Sequence, residues 1–115
     1  MKKIAILRCL QTGFSCTGSG CLKAWNEKEK AFACYKEEDA TLAAFLNCNG
    51  CDKDPAQDED MLKKIDRLEK MGVAVVHTSG CTVKDREMGN RCPNIEIIVQ
   101  MLQQRQIVVV HGTHK

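Results

Sequence analysis

Aromatic residues are scarce in this chain, with one Trp, one Tyr and three Phe among 115 residues. Excess charge is missing too, because 17 Lys and Arg are interleaved with 15 Asp and Glu for a net charge of +2. Without a basic stripe to follow phosphates or aromatic faces on which bases stack, nucleic acid is not an expected partner. Long apolar runs are also absent. None approaches the roughly 20 residues that span a bilayer, so no membrane partner is expected. Met1-Lys2-Lys3 imitates the basic start of an export signal, but Arg8 ends the run Ile4-Ala5-Ile6-Leu7. That run falls short of the about seven apolar residues such a signal needs, so it reads as a first strand and the cytoplasm as the compartment.

Other motifs are missing as well. Cys9-Leu10-Gln11-Thr12-Gly13-Phe14-Ser15 lacks the arginine with which a cysteine phosphatase loop holds phosphate. Thr17-Gly18-Ser19-Gly20 offers backbone N–H groups for an anion, yet no P-loop lysine and no complete G-x-G-x-x-G accompany it. No general base stands out, so no catalytic role is assigned. Linkers, repeats and low-complexity tracts are lacking, and 43% apolar content in a chain of 115 residues encloses one core. Residues 1–115 therefore read as a single domain.

What is plentiful is cysteine, with eight in the chain. In a reducing compartment stable disulfides are rare, and clustered thiols bind metal or carry redox chemistry instead. Their placement follows from the fold. Lys3–Arg8, Thr41–Leu46, Val73–Val76 and Ile107–Val110 are short apolar runs without polar alternation, as in strands buried on both faces of a parallel sheet. Between them lie three helical patterns: Leu22, Trp25 and Phe32; Leu62, Ile65 and Leu68; and Ile95, Ile98, Val99 and Leu102. Asp54-Pro55 and Pro93 mark helix starts, and Gly72 marks a stop. The order βαβαβαβ predicts a three-layer α/β/α, flavodoxin- or Rossmann-like fold with a four-stranded parallel sheet.

In such a sheet the carboxyl ends of all strands share one edge, where ligands bind. Cys9, Cys16 and Cys21 follow the first strand; Cys48 and Cys51 the second; His77, Cys81 and Cys92 the third; His111 and His114 the fourth. The long segments Leu10–Ser19 and Thr78–Pro93 leave this same edge, and loops of that length are often functional. Only Cys34, among Ala31, Phe32, Ala33 and Tyr35, falls elsewhere, and it reads as a small core residue.

Cys48-Asn49-Gly50-Cys51 is the sharpest local motif, because C-x-x-C brings two thiolates to one tetrahedral ion and Asn-Gly supplies a left-handed turn. The same spacing suits a dithiol redox pair. His111-Gly112-Thr113-His114 offers up to two imidazoles, which suit zinc or iron. His77 reads equally as a ligand or a hydrogen-bonded core residue, and His114 as a frayed tail.

Leu7-Arg8-Cys9, Cys16…Gly20-Cys21-Leu22-Lys23-Ala24, Cys48-x-x-Cys51, His77…Cys81, Cys92-Pro93 and Gly112-Thr113-His114 together resemble the CGGC-domain family over nearly the whole chain. The resemblance implies a metal-binding domain, zinc foremost, and brings no enzymatic activity with it. One departure is plain: asparagine stands in the first glycine place of the motif, with both thiols intact.

The expected function is a metal-binding module for metal handling or sensing. Cys9, Cys48, Cys51 and Cys81 are its first-choice ligands, followed by Cys16, Cys21, Cys92, His77 and His111. Four thiolates suit a zinc ion or, as the alternative, an iron–sulfur cluster. The competing expectation is a thiol redox or sulfur-transfer protein that uses Cys48 and Cys51.

Overall fold

The computed structural model describes residues 1–85 and 90–114. Four strands, β1 (Lys2–Arg8), β2 (Ala40–Asn47), β3 (Val73–Thr78) and β6 (Val108–His111), form one sheet in the order β2-β1-β3-β6. Every pairing is parallel. This is the strand order of flavodoxin-type sheets, in which the chain starts in the middle and winds outward both ways. A separate antiparallel pair, β4 (Val83–Asp85) and β5 (Asn90–Arg91), lies in the connection after β3.

Alternation along β1 divides the core into two layers. Ala5 and Leu7 face α3 (Glu59–Met71) and α4 (Pro93–Gln104), where Met61, Ile65, Leu68, Ile95, Ile98 and Leu102 are buried. Ile4 and Ile6 face α2 (Ser19–Glu27) and a 3₁₀ turn at Lys30–Tyr35, where Trp25, Phe32 and Tyr35 are buried. Each fully buried isoleucine, leucine or phenylalanine contributes roughly 2 kcal/mol, so the two layers together stabilise the sheet from both sides. A four-residue helix, α1 (Leu10–Gly13), follows β1 directly.

Three local expectations are corrected. The second helix does not start at Asp54-Pro55. The Asp54 side chain accepts from Ala56 N at 3.1 Å and its carbonyl from Gln57 N at 2.9 Å, which makes a turn with proline in its second place. Asp58 caps α3 instead, accepting from Asp60 N at 3.1 Å, with Glu59 and Asp60 favourably placed against the helix dipole. The first helix does not reach Phe32, because Lys28 turns left-handed (φ 51°) and ends α2, and within α2 Leu22 lies on the exposed face while Cys21, Ala24 and Trp25 are buried.

Cys34 is not a core residue. In the 3₁₀ turn side chains three apart share a face, so Phe32 and Tyr35 point inward while Cys34 is exposed. By contrast Pro93 opens α4 and Gly72, left-handed at φ 80°, ends α3, both as read from the sequence.

Candidate functional site

The alternation that sends Ile4 and Ile6 toward α2 sends Arg8 the same way. Arg8 is 9% exposed, its guanidinium lies 4.7 Å from the Phe45 ring centre, and Nη1 donates to the Cys16 carbonyl at 3.3 Å. Its Nε is buried without a hydrogen-bond partner, and so is Oδ1 of Asn47. The two residues pair in register at the ends of β1 and β2. Among the described residues no carboxylate balances Arg8. A buried donor left unpaired costs about 1–3 kcal/mol, and more on a charged group.

Beside Arg8 lies a cavity of about 110 Å³ lined by Arg8, Thr12, Cys16, Cys21, Ser79, Cys81 and His114. Its walls come from β1, the segment after it, the first turn of α2, the connection after β3 and the segment after β6. Three stretches distant in sequence, 8–21, 79–81 and 114, thus meet at the carboxyl edge because the strands are parallel.

Cys21 is buried, with Sγ 3.2 Å from Thr113 Oγ1 and 3.5 Å from His114 Nδ1. Burial pushes its thiol pKa up, and the neighbouring Cys81 and Cys16 add to that, while the Thr113 hydroxyl and Arg8 work against it. Cys81 Sγ lies 2.7 Å from Ser79 Oγ and accepts the Cys9 backbone N–H at 3.4 Å. Cys16 is exposed, and its sulfur accepts from Gly18 N at 3.4 Å.

The remaining sequence-selected residues lie outside this cavity. Cys48 is buried against the α3 and α4 layer, and its sulfur accepts the Leu10 N–H at 3.3 Å. Cys51, three residues on, is exposed. Cys9 is buried, and Cys92 precedes α4 without a capping side-chain bond while touching the same layer as Cys48. In the motif turn Gly50 takes the positive φ (111°), and Asn49 is not among the residues with positive φ. Asparagine therefore costs the backbone nothing in the first glycine place. Its side chain donates to Asp58 Oδ2 at 2.9 Å and accepts from Lys64 Nζ at 2.6 Å, tying the loop to α3.

His77 is fully buried with both ring nitrogens engaged. The Gly112 carbonyl can only accept, so Nδ1 donates to it at 2.9 Å, and Nε2 accepts from the Tyr35 hydroxyl at 2.7 Å. Burial lowers the imidazole pKa. Of the two readings open for this residue, the hydrogen-bonded core histidine describes what is seen. His111 ends β6, exposed, with Nδ1 2.7 Å from Thr78 Oγ1.

Sequence reasoning missed Ser79 and set His114 aside in favour of a frayed tail. His114 is not a frayed tail: Thr113 beside it is fully buried, and its ring lies close against Gly20. No local pattern signals such contacts, since their partners are nearly the whole chain away. Among the described residues, no three Cys, His, Asp or Glu side chains already surround a point from which all could hold an ion. No helix among them is long and apolar enough to cross a membrane.

A three-layer α/β domain with a thiol-lined cavity at the carboxyl edge of its sheet is the class that fold and site define. The CGGC domain model matches residues 3–114, and the chain belongs to that family. An uncharacterized protein of Methanocaldococcus jannaschii is 34% identical over 120 residues, covering 97% of this chain and 86% of that protein. No solved structure matches significantly.

Proposed function

We propose that the chain is a metal-binding domain of the cytoplasm that takes a zinc ion in the cavity beside Arg8, with Cys16, Cys21, Cys81 and His114 as donors. The observation that carries this reading is the convergence of three thiols and an imidazole on one small cavity. Three sulfurs and one nitrogen suit tetrahedral zinc. Three thiolates around a dication leave one negative charge, which Arg8 balances. Cys16, Cys21, Cys81 and His114 would have to close further around an ion to hold it, and of the four Cys16 is exposed and His114 half-buried. Cys9, Cys48, Cys51 and Cys81 are the alternative donor set, and an iron–sulfur cluster is the alternative cargo.

The test is metal content after anaerobic, reducing purification, with zinc, iron and acid-labile sulfide counted per chain. Stoichiometric zinc that is lost in Cys21→Ser and Cys81→Ser but kept in Cys48→Ser and Cys51→Ser supports this donor set. Loss confined to Cys48→Ser and Cys51→Ser moves the metal to the C-x-x-C loop. Folded protein that neither holds nor takes up metal sinks the reading.

One observation favours a second reading, in which Cys48 and Cys51 form a redox pair. One thiol of the motif is exposed and the other buried with a backbone N–H on its sulfur, as in pairs where an accessible thiol attacks and an inner one resolves. The pair would give two electrons and two protons to an acceptor disulfide. Thiol titration against a glutathione buffer tests it, and two thiols that never form a disulfide with each other refute it.

A further inference from the structure

We propose that in the metal-free protein the Arg8 cavity binds a small tetrahedral oxyanion, of sulfate or phosphate type, which supplies the missing counter-charge to Arg8. The proposal stands on Arg8 rather than on the metal reading.

Arg8 is buried at 9% exposure, lines the cavity, leaves Nε without a partner and faces no carboxylate among the described residues. Guanidinium presents planar donors that match the edge of an oxyanion. The other polar groups in the wall suit the same ligand, since Thr12 and Ser79 offer hydroxyls and His114 an imidazole. Cys21 belongs to the first turn of α2, so the positive end of that helix borders the cavity too.

Asn47 stands beside Arg8 on the neighbouring strand. Its amide is the register partner of Arg8 and holds the other buried polar atom without a hydrogen bond. Asn47 and the guanidinium both lie against Gly13, where a Cβ would stand 3.5 Å from Arg8 Nη2 and 3.7 Å from Asn47 Nδ2. The unmet atom of Asn47 is the acceptor Oδ1 and takes no part in holding an anion, whereas the unmet atom of Arg8 is a charged donor at the cavity wall, which a bound oxyanion completes.

The experiment uses the full chain, reduced and stripped of metal, titrated with sodium sulfate and with inorganic phosphate by calorimetry and thermal unfolding at constant ionic strength held with chloride. The expected result is saturable binding with a rise in unfolding temperature, and the stronger of the two anions identifies the preferred type. Arg8→Met loses the binding, and Arg8→Lys and Thr12→Val weaken it at least about ten-fold, as removing a charge-assisted or hydroxyl contact does. Lys23→Met, exposed on α2, leaves it unchanged. If Arg8→Met does not fold, Arg8→Lys and Thr12→Val carry the comparison. A response no larger than that of chloride, or equal binding in the Arg8 and Thr12 variants, overturns the proposal. Zinc uptake by the same preparation is measured separately, so either reading fails without the other.

Discussion

The Tyr35 hydroxyl donates to His77 Nε2 at 2.7 Å, while His77 Nδ1 donates to the Gly112 carbonyl at 2.9 Å, so one buried imidazole joins the 3₁₀ turn, β3 and the end of β6. The carbonyl fixes the Nδ1–H tautomer, and a protonated ring would leave the tyrosine hydrogen facing a second donor. The same burial pushes the Tyr35 phenol up, which keeps it protonated and donating.

That arrangement makes stability depend on pH. The folded His77 pKa is lowered, chiefly by burial, whereas the unfolded one stays near about 6.5. Below that value the unfolded chain binds a proton that the folded chain refuses, so unfolding is favoured as pH falls. Full stability is expected above about pH 7 and a decline below about pH 6.5. Urea unfolding of wild type and His77→Gln at a series of pH values checks it. A slope that survives in His77→Gln must come from another group.

Thiol reactivity is expected to be graded by position. Cys21 is buried and its pKa is raised, so little thiolate is present at neutral pH. Cys16, Cys34 and Cys51 are exposed. Alkylation of the native, metal-free protein at pH 8, followed by peptide mass spectrometry, should modify the exposed three first and Cys21 among the last. Early labelling of Cys21 would mean that the Thr113 and Arg8 contacts outweigh burial.

Much of the architecture was legible because buried parallel strands announce themselves. Apolar runs such as Ile4–Leu7 and Val73–Val76 admit no other reading once helical patterns separate them, and their ends fall within a residue or two of the observed strands. What failed was geometry set by a neighbour. Proline in the sequence marks a helix start at both Pro55 and Pro93, and only Pro93 opens one, because Asp58 offers α3 a better cap three residues further on. Cys34 was misplaced because a 3₁₀ turn has a different period from a helix. The convergence of cysteines on one edge was readable from topology alone. Their division was not. Whether a side chain after a strand joins the α2 layer, like Cys21, or the α3 and α4 layer, like Cys48, depends on packing that sequence spacing does not encode.

The asparagine of the motif should be worth keeping. Asn49→Gly restores the doubled glycine but removes the bonds to Asp58 and Lys64. It also adds backbone freedom to the unfolded chain. The expected cost is about 1 kcal/mol, with faster amide exchange over Asn49–Asp52. Denaturant unfolding and hydrogen exchange measure both, and a variant as stable and as protected as wild type would show that the two bonds contribute nothing.

Gly20 separates site from scaffold most sharply. It lies in the first turn of α2 at an ordinary φ, so alanine there suits the helix and by itself stabilises it by up to about 1 kcal/mol. The added Cβ, however, would stand 3.2 Å from both Cδ2 and Nε2 of His114, tighter than an ordinary contact. The ring must shift by a few tenths of an ångström, away from the position that lets it share the cavity with Cys21. Gly20→Ala should therefore keep or raise the unfolding temperature of the metal-free protein while weakening zinc binding several-fold, whereas a purely structural His114 predicts no change in metal affinity. Competition titration with a chromogenic chelator, run beside thermal unfolding, reads the two effects independently. Equal zinc affinity in Gly20→Ala and wild type would remove His114 from the donor set and leave the cavity with sulfur ligands alone.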